Sequence, residues 1–177
     1  MTIRPAEVAD AAGILELSRA LVRDGRGQVM LETDLPADAA AEARGMQPDL
    51  DAEPDAVLRL VAAATDSGAV VGEARIARYG PGMLRHAARL SLGVHPAWQG
   101  RGVGRSLMAA MLQWADAPER RPAITWVELC VRGDNERAIE LYRSVGLAVE
   151  GVRRGFVQPP GGGPPIDDLI MVRRRGG

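Results

Sequence analysis

The chain has 177 residues, with 22 basic side chains, every one an arginine, and 23 acidic ones, for a formal net charge of −1. That length suits one domain with its own core, and the balanced charge gives no electrostatic case for a nucleic-acid partner. The lack of lysine excludes Schiff-base chemistry, and with it the usual pyridoxal phosphate mechanism, and also a phosphate loop ending in Gly-Lys-Ser/Thr.

In chain order, "TIRPA" (2–6) starts an edge strand that Pro5 ends. Asp10 is placed to cap a helix through Arg23, where Ile14, Leu17, Leu21 and Val22 repeat at helical spacing. Residues 24–55 are acidic and broken by Pro36, Pro48 and Pro54, which predicts a loop, a short helix near 37–44 and another loop. "DAVLRLVAAATD" (55–66) is rich in helix formers and predicts a helix. Residues 67–80 read as turn, strand, Gly72 and strand; 85–94 is the next strand. A helix over 102–116 follows a glycine-rich turn. "AITWVELCV" (123–131) has the β-branched and aromatic content of a buried strand. A helix over 134–146 starts at Asp134 or Asn135 and stops at Gly146. Strands at 147–157 and 167–174 flank the loop "QPPGGGPP". The order predicts a mixed α/β sheet in one domain.

No apolar run approaches the ~20 residues of a membrane helix, and no leader segment is read at the N-terminus, so a cytoplasmic protein without a membrane partner is expected. Cys130 is the single cysteine, which rules out an intrachain disulfide. With only His86 and His95 beside it, no metal site is expected.

The chemistry concentrates in "HPAWQGRGVGRSLMAAMLQW" (95–114). A strand enters, glycines turn, and a helix leaves, so free N–H groups face outward at the positive end of a helix dipole. An anion, foremost a phosphate, is the natural occupant. The dinucleotide pattern G-x-G-x-x-G does not fit, because Arg105 or Leu107 stands where its last glycine belongs. The pattern that fits is Q-x-x-G-x-G, with Gln99, Gly102 and Gly104.

With that pattern the chain resembles the GNAT-type N-acetyltransferase superfamily, notably its small-molecule and amino-acid N-acetyltransferases. "SLGVHPAWQGRGVGRSLM" is similar to the acyl-CoA motif. "VELCVRGDNERAIELYRSVGL" is similar to the strand–helix motif after it, and "EGVRR" with "DDLIMVR" to the closing hairpin. The specific likeness covers about residues 88–150. It implies a single domain over 1–177 with a mostly antiparallel sheet, one splayed parallel strand pair and flanking helices. Acceptor-side helices and loops would occupy 24–55, the acyl-CoA core 88–147 and the hairpin 147–174.

The resemblance also implies acetyl-CoA as co-substrate and direct attack by an amine in a ternary complex. Leu92, Gly93 and Val94 would line its pantetheine arm; Gln99, Gly100, Arg101, Gly102, Val103, Gly104 and Arg105 would hold the pyrophosphate. Arg105 either adds charge to the phosphate or is a solvated helix residue. Asn135 either contacts the cofactor or caps its helix. The N–H of Val94 is the implied oxyanion donor, and Tyr142 the implied acid for the departing thiolate. From spacing alone, Tyr142 would be a core residue beside Ile139 and Val145. Relatives carry a glutamate on the strand before the turn, where this chain has "HAARLSLGV" with Ala88 near that place. The base is therefore Glu128, Glu73, His86 or a water chain; Glu128 is taken as the foremost because it interrupts a buried strand. Cys130 is expected in the core.

The acceptor implied is a small-molecule amine. The acids of 24–55 would draw a cationic amine or else form a solvated face, whereas Arg153 and Arg154 would suit a carboxylate. A non-catalytic acyl-CoA-binding domain and a protein N-terminal acetyltransferase are the alternatives. The final hairpin offers an edge for a homodimer.

Overall fold

A computed structural model describes residues 1–175. Seven strands form one sheet: β1 (Thr2–Pro5), β2 (Val57–Ala63), β3 (Val70–Arg78), β4 (Ala87–Val94), β5 (Trp126–Arg132), β6 (Ala148–Val157) and β7 (Ile166–Arg174). Their order is β1-β2-β3-β4-β5-β7-β6. Every neighbouring pair is antiparallel except β4 with β5. The helices are α1 (Ala11–Asp24), α2 (Ala39–Leu50), α3 (Val103–Asp116) and α4 (Glu136–Ser144). This is the mixed sheet that the element order predicts, with the one parallel pair that the family resemblance implies.

Helices cover both faces. One core cluster gathers Ile76, Leu129 and Met171 from the sheet with Leu107, Met108 and Met111 of α3 and Ile139 of α4. On the other face Val61 meets Ala6, Ala11, Ile14 and Met46, which brings in α1 and α2. Full burial of such a side chain contributes about 1.5–3 kcal/mol.

Residues 57–63 are the strand β2, which corrects the helix expected over 55–66. Leu60 to Ala64 are all buried, because β2 has helices on both faces and β1 and β3 at its edges. Its alanines read as helix formers, but they are small residues of a strand covered twice. Tertiary burial outweighs propensity here. Gly72 does not divide β3 into two strands. It sits where α3 presses closest: a Cβ there would come 3.0 Å from Val103 and 3.1 Å from Leu107.

α1 ends where Gly25 adopts φ +69 and donates back to Leu21 and Val22. Asp10 acts one turn earlier than expected. Its carboxylate accepts from the Glu7 N–H at 2.8 Å and from both Arg4 Nη atoms at 2.7 and 2.6 Å. α2 starts on Asp38, whose Oδ1 accepts from the Ala41 N–H, and runs to Leu50 rather than stopping near 44. Pro48 stands in the last turn, so the one intrahelical bond it removes lies at the end of the helix.

The feature that positions the site is the β4–β5 pair. It holds only from Ala87↔Trp126 to Arg89↔Glu128. Beyond those three registers the strands part, while β4 stays paired to β3 as far as Val94 and β5 to β7 as far as Arg132.

Candidate active site

The parted strands open a cleft of about 1370 Å³. Its walls are the backbone of 89–94 and 129–132, the turn before α3, the start and inner face of α4, and residues 26–30 after α1. The direction of the β4 backbone groups follows from its pairing. The His95 N–H bonds Val71 O, and the Tyr79 N–H bonds Ala87 O. Odd-numbered residues of β4 therefore spend their main-chain groups on β3, and the N–H and C=O of Leu90, Leu92 and Val94 face the gap. Both Leu92 and Val94 thus direct a main-chain N–H into the cleft rather than at β3.

The turn is built from side chain and glycine together. Gln99 donates from Nε2 to Val94 O at 3.2 Å, and its Oε1 accepts from Arg137 Nη1 at 3.2 Å, so it fastens the end of β4 to α4. Gly100 and Gly102 take φ of +79 and +83, a region side chains avoid. α3 starts directly after Gly102 with no side-chain cap. Its first-turn N–H groups are left for a ligand, and the exposed Arg105 and Arg137 flank them.

Of the expected cofactor residues, Leu92, Gly93, Val94, Gln99, Gly100, Gly102, Gly104, Arg105, Asn135 and Tyr142 all line the cleft. The side chains of Arg101 and Val103 do not. Val103 is 1% exposed and packs into the core, and Arg101 lies outward, 5.2 Å over the Trp98 ring. The turn into α3 rotates alternate residues away from the cleft. Asn135 serves as cap, its Oδ1 accepting from the Ala138 N–H at 3.3 Å, and still lines the cleft. Tyr142 is buried, its hydroxyl has no hydrogen-bond partner among the described residues, and burial pushes it up to about 12. It is a protonated phenol at neutral pH.

Glu128 is elsewhere, which corrects its place as foremost base. Tyr79 donates its hydroxyl to Oε1, Trp126 Nε1 donates to Oε2 at 3.0 Å, and the carboxylate does not reach the cleft. The partners that a carboxylate in a buried strand requires are a phenol and an indole, not a substrate. His86 is exposed and also outside the cleft.

Glu73 does line the cleft. It faces Gly93 across the β3–β4 register, and its side chain is 20% exposed. Burial pushes its carboxyl above the usual range, with Arg59 Nε at 2.5 Å opposing that shift. Arg59 in turn meets Glu42 at 3.1 Å and Asp49 at 3.6 Å, and Arg75 holds Asp49 through two bonds. The acids of α2 thus turn inward onto β2 and β3 and form no rim around the entrance.

Cys130 lies in the cleft, not in the core. β5 alternates Val127, Leu129 and Val131 inward, so Cys130 falls on the opposite face with Glu128 and Arg132. Arg132 donates to Gly25 O and Gln28 O at 2.9 and 3.0 Å, which ties the segment after α1 over the cleft. Among the described residues no helix is long and apolar enough to cross a membrane, and no cluster of metal-binding side chains is present.

The model of the acetyltransferase (GNAT) family matches residues 20–147. The N-alpha-acetyltransferase RimI of Mycobacterium tuberculosis is 37% identical over 114 residues, 64% of this chain and 65% of that protein. The L-amino acid N-acetyltransferase AaaT of Escherichia coli is 31% identical over 88 residues, 50% of this chain and 51% of that one. The chain thus spans less than two thirds of these relatives. A phosphinothricin acetyltransferase from Sinorhizobium meliloti, solved in complex with acetyl-CoA, superposes with a TM-score of 0.80 at 21% identity, over 99% of this chain and 88% of that one.

Proposed function

The chain belongs to the GNAT acetyltransferase family, and from that premise we propose that it transfers an acetyl group from acetyl-CoA to the primary amine of a small molecule. The observation that carries this reading is the parted β4–β5 pair leading to an uncapped helix start. The diphosphate of acetyl-CoA suits the N–H groups after Gly102, with Arg105 and Arg137 adding charge. The pantetheine arm suits the unpaired edge of β4, where its amides can replace the missing strand.

Attack by an amine on the thioester carbon develops charge on the carbonyl oxygen, which the Leu92 or Val94 N–H accommodates. Glu73 accepts the proton of the incoming ammonium; its basicity, raised by burial against the opposing Arg59, fits that role. Collapse of the tetrahedral adduct breaks the carbon–sulfur bond; Tyr142 gives its proton to the departing thiolate, the nitrogen sheds its extra proton to solvent, and the phenol is reprotonated from solvent. The segment 26–30, held over the cleft by Arg132, favours a small acceptor. The likeness to RimI supports a second reading, in which the amine is a protein N-terminus.

The test is CoA release across amines and short peptides, with wild type and Tyr142→Phe. Loss of about 10²–10⁴-fold in kcat is expected for Tyr142→Phe, while calorimetry shows acetyl-CoA still bound. Acetyl-CoA binding without turnover of any amine would instead make the chain a non-catalytic acyl-CoA-binding domain.

A further inference from the structure

Two arginines from distant parts of the chain converge on Cys130 in the cleft. Arg89 is the last β4 residue paired with β5, and its side chain is directed at Cys130, with Nη2 4.0 Å from Sγ. It is exposed, and no ion pair among the described residues includes it. Its register partner Glu128 is engaged by Tyr79 and Trp126. Arg153 reaches the same sulfur from β6, with Nη2 at 3.2 Å.

Arg153 is fixed from two sides. Asp168, 3% exposed, accepts from both its Nε and its Nη2, and the Phe156 ring lies 4.1 Å from the guanidinium. Its Nη1 has no partner among the described residues. A thiol is a weak acceptor and leaves both guanidiniums short of one. The shared sulfur places them within about 7 Å of each other. A carboxylate with charge-assisted bonds of about 2.8 Å on each oxygen spans that distance. Because Arg153 is already immobilised, little ordering remains to be done on binding.

Resting on the acetyl-transfer reading above, we infer that Arg89 and Arg153 form a subsite for a carboxylate of the acceptor. The acceptor is then an amine that also carries a carboxylate, an amino acid rather than a polyamine or an aminoglycoside. Arg154, the other arginine of the pair, has no part in it: its side chain is 87% exposed and turned toward Asp167. Glu73 faces Gly93, and residues 89 and 93 of β4 lie on the same face of the sheet, so both side chains project from one side of it.

The experiment compares the common amino acids with their C-terminal amides as acceptors, for wild type, Arg89→Ala and Arg89→Lys. Acetyl-CoA calorimetry on each variant checks the fold. The free acid is expected to have at least a 10-fold lower KM than its amide. Arg89→Ala should raise the acid's KM about 10–100-fold, with a much smaller change in kcat, and abolish the preference; Arg89→Lys should restore part of it. Equal KM for acid and amide, or a preference that survives Arg89→Ala, overturns the subsite. If no amine is acetylated, the same acids and amides are titrated into the protein–CoA complex. Acid-selective binding lost in Arg89→Ala then upholds the subsite while removing the transferase reading, and no acid-selective binding overturns it.

Discussion

The two sides of the cleft are built on different principles. Toward α3 and α4 the work falls to the main chain: unpaired amides of β4, two glycines with positive φ, and a helix start without a cap. Toward α1, α2 and the β6–β7 hairpin it falls to pairs of side chains. Arg59 joins Glu42, Asp49 and Glu73; Arg153 joins Asp168; Arg132 joins the segment after α1. The first construction tolerates changes of side chain and fails when a Cβ intrudes. The second is indifferent to backbone bulk and fails when a charge is removed.

The sharpest way to break this division is Glu73→Gln. The substitution keeps size and one acceptor oxygen but removes the ionisable group. A loss of about 10²-fold in kcat/KM is expected if Glu73 takes the proton. The pH profile adds a signature. A base acts only when ionised, so wild-type activity falls as pH drops through the Glu73 pKa, which burial holds above its ordinary value. The variant should lose that acid limb, and acetyl-CoA affinity should stay put because Glu73 is on the other side. An unchanged limb would return the base to a water chain.

The same division explains what could be read from the sequence. The main-chain side was legible because its signals are local: Gln99, Gly102 and Gly104 sit in one turn, and Asn135 and Tyr142 in one helix. Of that run, only the side chains of Arg101 and Val103 fell outside the cleft, because a turn entering a helix points successive residues in different directions. The side-chain side was not legible as an assembly. Glu42 and Asp49 look like solvated helix acids until β2 brings Arg59 beneath them, and β2 itself resembled a helix. Cys130 and Glu128 alternate with buried valine and leucine, and which face meets water depends on α1 and α2, far away in the chain. Glu73 could have been ranked above Glu128 only by knowing that its strand pairs with Gly93.

Gly104→Val probes the main-chain side. A Cβ at Gly104 would come 3.1 Å from Leu141 and 3.6 Å from Val94, so a branched side chain must push α3 away from α4 or fill the cleft between them. Overpacking of this kind costs about 1–3 kcal/mol of stability. Acetyl-CoA affinity should weaken roughly 10-fold by calorimetry, which is about 1.4 kcal/mol. An acceptor that still binds the CoA complex normally would show that the two sides fail independently.

Glu128→Gln is the smallest change and the control that the comparison demands. Glu128 shares its strand with the cleft and accepts from Tyr79 and Trp126, yet touches no part of the cleft. Glutamine keeps one acceptor, so one of the two donors loses its partner, at about 1–2 kcal/mol of stability. Activity should stay within about twofold, measured below the lowered melting point. Tyr79, held up at about 12 by burial and then by the Glu128 carboxylate, should ionise at a lower pH in the variant, visible in the tyrosinate absorbance. Tyr142, raised by burial alone, should not move. A large fall in kcat with both phenols unmoved would mean that Glu128 reaches the reacting groups after all, and the side-chain half of the cleft would have to be redrawn around it.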